Sequence, residues 1–337
     1  MKSKRISLII LSIVIVAASS ICSVAATDAD PAPKKFIKWM TFNVPYEALA
    51  KAKDIDINSH NSELKINWVD LLSYLSAKYG GNWKKYRDKD MDALVEKLKA
   101  GQNMAELTEK MKYYSFFNET YSAVLSNFIG DYQIEVPDGN GGKKAQVKYG
   151  LKVFSPIAKG YGYSHYEDFG DSRSFGFRRK HLGNDLLGSV GTPITAVESG
   201  VVESLGWNKY GGWRIGIRSF DKKRSYYYAH LRKNHPYAKD LKQGQIVRAG
   251  DVIGYLGMTG YSDKENVNNM TEPHLHFGMQ IIFDESQKEG TNQIWIDVYN
   301  IVELLSSNRV QVWRDDSTKD YYRAYDFLDL KYKDYYK

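Results

Sequence analysis

The stretch EPHLHFGMQII at residues 272–282 places Leu275, Phe277, Met279 and Ile281 at every second position, with His274 and His276 alternating between them. In a β-strand this spacing sends the apolar side chains to one face and both imidazoles to the other. Two imidazoles on one strand face are a compact way to supply a metal ligand and a neighbouring acid or base. The pattern alone equally describes two surface histidines, so its meaning depends on the surrounding chain.

Working outward, glycine is frequent and the apolar runs are short and alternating. Pro193 to Trp207, Trp213 to Phe220, Ser225 to Leu231, Val252 to Leu256 and His274 to Ile282 read as strands. Helical periodicity returns only over Ile296 to Leu305, so this region is mostly β. His181 and Asp185 stand at i, i+4. Gly183, Gly188, Gly191 and Pro193 mark that segment as a loop entering a strand rather than a helix. An imidazole and a carboxylate together suit Zn²⁺. His230 closes the aromatic run Tyr226-Tyr227-Tyr228-Ala229. Taken singly, each of these residues also has an ordinary surface or half-buried reading.

The earlier part of the chain has a different period. Trp68, Leu71, Leu72, Leu75 and Tyr79 follow helical spacing up to Gly80-Gly81, and Met91, Leu94, Val95 and Leu98 repeat it before Gly101. Asn103 with Glu106 forms a capping-box pattern for a helix holding Met104, Leu107 and Met111. Tyr114, Phe117, Tyr121, Val124, Leu125 and Phe128 make a further stripe before Gly130. The expected layout is therefore α+β. A helical domain at 35–135 and a PDGNGGKK-type linker at 136–146 precede a β domain at 147–310, and a Tyr-rich tail occupies 311–337.

At the N-terminus, Lys2, Lys4 and Arg5 precede the apolar run Ile6 to Ala18, and Val24-Ala25-Ala26 has the small residues of a signal-peptidase site. Residues 1–26 read as an export signal, with an uncleaved anchor as the alternative, and 27–34 as a linker. The one cysteine, Cys22, lies in this segment, so the exported chain would carry no thiol and no disulfide. That excludes cysteine-peptidase chemistry. The net charge of +7 includes three positive charges of the signal segment. The mild remainder suits anionic wall polymers and is too weak for nucleic-acid binding.

In order along the chain, HLGND (181–185), GTPITAVESGVV (191–202), GWNKYGG (206–212), YYYAHL (226–231), GQIVRAGDVIGYLGMTG (244–260) and PHLHF (273–277) resemble the LytM/lysostaphin-type zinc endopeptidases, peptidase family M23, over roughly residues 150–285. The resemblance implies a predominantly antiparallel β-sandwich of the duplicated-hybrid-motif type. It also implies one Zn²⁺ held by His181, Asp185 and His276, with His230 and His274 as the catalytic pair. Three protein ligands would leave a coordination position for water. The implied activity is cleavage of peptidoglycan peptides outside the cytoplasm, in a cross-bridge or a stem peptide. A non-catalytic wall-binding scaffold is the alternative. Asn184 and Arg173 flank the first motif and are candidates for touching substrate. Some relatives carry a Tyr shortly before the first metal His, where this chain has Phe175 and Phe177. No HExxH glutamate base is present.

Overall fold

The computed structural model describes residues 36–337, so the expected signal segment and the 27–34 linker lie outside the described residues. Five helices come first: α1 (Tyr46–Ser59), α2 (Trp68–Tyr79), α3 (Asp88–Lys99), α4 (Met104–Thr108) and α5 (Tyr114–Leu125). Asn67 caps α2 by accepting from the Val69 and Asp70 amides, and Gly80 ends it in a left-handed conformation. The apolar stripes of α2 and α3 are buried as their spacing requires. Tyr121 of α5 locks onto α2 through Ser76 Oγ and onto the indole of Trp83, both at 2.9 Å. The Asn103–Glu106 capping box is formed. Its helix stops at Thr108, short of Met111, because the Met111 amide closes a tight turn onto the Thr108 carbonyl.

The two strands that follow, β1 (Ile129–Pro137) and β2 (Lys143–Leu151), pair antiparallel along their whole length. Their facing ends and the turn between them occupy residues 136–146, the stretch expected as a linker. The Gly- and Asn-rich sequence is instead a hairpin turn, in which Asp138 Oδ1 accepts from the Asn140 and Gly142 amides. Linker and tight turn draw on the same residues, so composition alone does not separate them.

The β region contains β3 (Ser164–His165), β4 (Ser172–Arg173), β5 (Arg179–Lys180), β6 (Asn184–Leu187), β7 (Pro193–Thr195), β8 (Gly200–Asn208), β9 (Gly212–Ser219), β10 (Arg224–Ala229), β11 (Ile246–Val247), β12 (Val252–Tyr255), β13 (His274–Ile281) and β14 (Ile294–Ile296). Eight of them form one antiparallel sheet, ordered β11-β8-β9-β10-β13-β6-β3 with β14 also on β13, while β7 and β12 form a separate ladder. The expected single strand from Pro193 to Trp207 is thus divided between two ladders. Leu275, Phe277, Met279 and Ile281 are fully buried, and share one continuous core with Ile194 and Ile253 of the small ladder and with the helices.

Helix α6 (Tyr299–Leu305) leads into β15 (Val312–Arg314), β16 (Tyr321–Arg323) and β17 (Phe327–Asp329). The tail packs on the protein: β17 pairs with β1, and Asp329 is bonded to the buried Lys152 ammonium at 2.8 Å. No helix among the described residues is long and apolar enough to cross a membrane.

Candidate metal centre and active site

Antiparallel register builds the site. Asp185 on β6 lies directly opposite His276 on β13, which lies opposite Ala229 at the end of β10. His181 approaches from the segment between β5 and β6. Gly183 lets the chain pass this close, because a Cβ there would meet the Phe277 carbonyl at 2.5 Å and the His276 ring at 2.8 Å. The result is a triangle: His181 Nε2 to His276 Nδ1 is 2.7 Å, His181 Nε2 to Asp185 Oδ1 3.1 Å, and His276 Nδ1 to Asp185 Oδ1 3.2 Å. Among the described residues these three are the group able to hold a metal ion.

Protonation follows from the surroundings. His181 Nδ1 faces the Asp168 carbonyl at 3.0 Å and the Asp168 carboxylate at 3.2 Å, both acceptors, with the Arg173 guanidinium also 3.1 Å away, and Nε2 is the nitrogen turned to the triangle. Three potential ligand atoms therefore converge, an arrangement held together by a proton or a cation. Burial pulls the His181 pKa down, but the Asp168 and Asp185 carboxylates outweigh it and raise it to about 9. Burial acts to raise Asp185, yet the histidines around it hold its carboxyl far below the usual range. Burial keeps His276 below its ordinary value.

His230 and His274 stand beside the triangle, with ring centroids 4.7 Å apart. His230 Nδ1 donates to the Thr259 carbonyl and His274 Nδ1 to the Glu272 carbonyl, each at 2.8 Å. In the neutral form of either ring the proton therefore sits on Nδ1. His274 Nε2 is buried without a hydrogen-bond partner and lies 3.8 Å from Asp185 Oδ1. His230 itself adopts a positive φ of 60°, and the close approach of Gly260, whose Cβ would lie 2.9 Å from His230 Nδ1, seats the ring under the 259–260 backbone. Burial depresses the His230 pKa, with the neighbouring His274 and His276 adding to the effect.

The five residues drawn from the sequence all line or border one open cavity, together with Arg173, Arg179, Tyr210, Tyr227 and Tyr261. Arg173 bonds Asp168 at 2.7 Å and Asp185 at 3.3 Å, so it braces the His181–Asp185–His276 triangle as well as facing the cavity. Asn184 does not reach it. Successive strand residues point to opposite faces, and Asn184 is buried, bonding the Tyr166 carbonyl and the Val298 amide at 3.1 Å. His165 stacks on Tyr299 away from the cavity. Phe175 stacks on Tyr261 at the rim, 4.8 Å between centroids.

Asp168 went unread in the sequence. It holds His181 Nδ1, Arg173 and, through Oδ1, the Asp185 amide at 3.2 Å. An acid in a polar loop thirteen residues before the first histidine has no periodic or motif signal. Tyr227 is also central, with its ring 5.7 Å from that of His276.

Residues 179–291 match the model of peptidase family M23. The L-Ala–D-Glu endopeptidase of Bacillus subtilis is 45% identical over 117 residues, 35% of this chain and 34% of that protein. Lysostaphin of Staphylococcus simulans is 38% identical over 136 residues, 40% of this chain and 24% of that protein. Its crystallised catalytic domain is 31% identical, with 92% of it and 42% of this chain covered (TM-score 0.32). The crystal structure of LytM from Ruminococcus gnavus shares the fold at a TM-score of 0.50 and 18% identity, over 78% of this chain and 92% of that one. The chain thus spans about a third or less of the full length of the curated relatives named here.

Proposed function

From the premise that residues 179–291 make this chain a member of peptidase family M23, we propose that it is an exported zinc endopeptidase that hydrolyses peptide bonds of bacterial peptidoglycan. The observation that carries the reading is the triangle of His181, Asp185 and His276 beside two histidines with bare Nε2 atoms. The three candidate ligand atoms stand 2.7–3.2 Å apart, so one ion can be held by His181, Asp185 and His276 together. The donor set of two imidazoles and one carboxylate is one that catalytic zinc takes. When bound there, zinc supplies a Lewis acid that polarises a carbonyl and makes water acidic enough to attack it.

The remaining work falls to this chain's own groups. His230 and His274 each have Nδ1 engaged by a backbone carbonyl, which leaves Nε2 as the working nitrogen, and burial lowers the His230 pKa. Either can accept a proton from water placed in the cavity and return it to the departing amine. Their protonated forms can also donate to an oxyanion as charge develops. Asp168 and Arg173 orient His181 and Asp185.

The test is digestion of purified peptidoglycan by the zinc-loaded protein, with mass spectrometry of the fragments. We expect new amino termini at one type of peptide bond, loss of cleavage on chelation, and recovery on adding zinc. Intact peptidoglycan with a full equivalent of zinc bound, or cleavage that survives chelation, would overturn the proposal. Cleavage confined to casein-like proteins would move the substrate away from the wall. A second expectation concerns Asp168, which should act as a positioning residue. Asp168→Asn should weaken zinc affinity about 10–100-fold, read by competition with a chromophoric chelator. Unchanged affinity would leave Asp168 with no part in holding the ion.

A further inference from the structure

The cavity does not end at the metal centre. Past Leu182, Tyr227 and His276, which line both spaces, it opens into a second hollow of about 560 Å³ over the same face of the sheet. Gly216, Ser225 and Gln280 contribute to the lining, and Arg214, Lys288 and Trp295 stand in its walls. Register places Arg214 precisely enough to matter. Tyr228 pairs with Ile215, so Ala229 falls beside Arg214, and Ala229 pairs with His276, which pairs with Asp185. Arg214 and the metal centre therefore share one row and one face, two strands apart. That is roughly 10 Å, the span of about three residues of extended peptide.

The hollow is lined by two acids and two bases, and their pairing is uneven. Its two acids are engaged: Glu203 and Glu289 lie 3.1 and 3.3 Å from the Lys288 ammonium, and Glu203 also faces Arg218 at 3.5 Å. Arg214 has no carboxylate within ion-pair range among the described residues. Its side chain has one long hydrogen bond, 3.4 Å to Ser204 Oγ, and its Nε is buried with no partner. A buried guanidinium nitrogen left unpaired is costly. In the first cavity, Arg179 lies against Tyr210 and Tyr261 and likewise has no carboxylate within ion-pair range among the described residues.

We propose that the second hollow binds a free carboxylate of the peptide being cut, through Arg214, so that the preferred substrate is an acidic peptide rather than an uncharged glycine bridge. The inference rests on the peptidase reading and names its substrate class. The planar guanidinium matches a carboxylate with two parallel hydrogen bonds.

Paired synthetic peptides decide the matter, identical except that one carboxylate near the cleaved bond is free or amidated. With zinc-loaded wild type, kcat/KM should favour the free acid at least about tenfold. In Arg214→Gln that ratio should fall to near one, and Arg214→Lys should keep part of it. Calorimetric titration of the same peptides into the zinc-loaded protein and into Arg214→Gln should show the same dependence in Kd. Equal handling of acid and amide by wild type, or a preference that survives in Arg214→Gln, would overturn the inference. If no peptide is cut while the Arg214-dependent preference in Kd remains, the peptidase reading fails and the carboxylate site stands.

Discussion

Replacing His230 with Ala is expected to slow peptide-bond cleavage about 10²–10⁴-fold while zinc stays bound, the usual range for losing a positioned acid or base. Asp185→Ala is expected to lose the activity and the zinc together. The contrast separates two roles that sequence spacing alone cannot distinguish. His274 and His276 lie on the same strand face, and alternation gives no reason to prefer either as a ligand. The distances do: His276 Nδ1 is 2.7 Å from His181 Nε2 and 3.2 Å from Asp185 Oδ1, whereas His274 Nε2 stands 3.8 Å from that oxygen. His274 and His230 each have Nδ1 tied to a backbone carbonyl, as His181 does, but their Nε2 atoms stand outside the triangle and are left for substrate or water. Metal content by mass spectrometry and single-turnover rates on one peptide measure both quantities in each variant. Zinc lost from His230→Ala, or a wild-type rate in either protein, would break the assignment.

What could be read from the sequence follows the range of the forces involved. The α2 and α3 stripes, the Asn103 cap and the alternation of β13 are local patterns, and the structure buries their apolar faces as expected. Asp185 and Asn184 are adjacent in a motif, and proximity made both candidates for the site. The strand sends one to the cavity and the other into the interior. Asp168 reaches His181 only because the chain folds back over β6, a long-range event with no local period. The hairpin at 129–151 was hidden for another reason, since its turn residues are those of a linker. Arg214 could not be singled out at all. Its interest lies in having no partner, which is visible only once every neighbouring carboxylate has been placed.

The second large expected effect lies in the interior, where Glu198→Gln should destabilise the fold by about 3 kcal/mol. The Glu198 carboxylate is buried and accepts from four donors: Arg224 Nε at 2.7 Å, Arg224 Nη2 at 3.0 Å, Tyr226 OH at 2.6 Å and Asn127 Nδ2 at 2.6 Å. Arg224, fully buried, also bonds the Ala123 carbonyl of α5 at 2.6 Å and Asp221 at 2.7 Å. Asn127 continues the chain to Lys152 at 3.2 Å, and Lys152 to Asp329 of the tail. One connected set of charges thus joins helix α5, the sheet and the C-terminal tail. Glutamine preserves the volume of Glu198 but removes the charge that offsets the desolvation of Arg224, and one of its two acceptor ends becomes a donor facing other donors. Asp221 still holds Arg224, which keeps the cost near the lower end for a broken buried pair. Against a typical total of about 5–15 kcal/mol, this is a large fraction. Urea denaturation reads it as a lower midpoint at constant slope. The double variant Glu198→Leu with Arg224→Met should be less destabilised than Arg224→Met alone, because it no longer buries a carboxylate stripped of its partner. Its recovery should stay incomplete, since Tyr226, Asn127 and the Ala123 carbonyl would still lack partners. A Glu198→Gln protein within about 0.5 kcal/mol of wild type would mean that water reaches Arg224, and that packing rather than the ionic network joins the helices to the sheet.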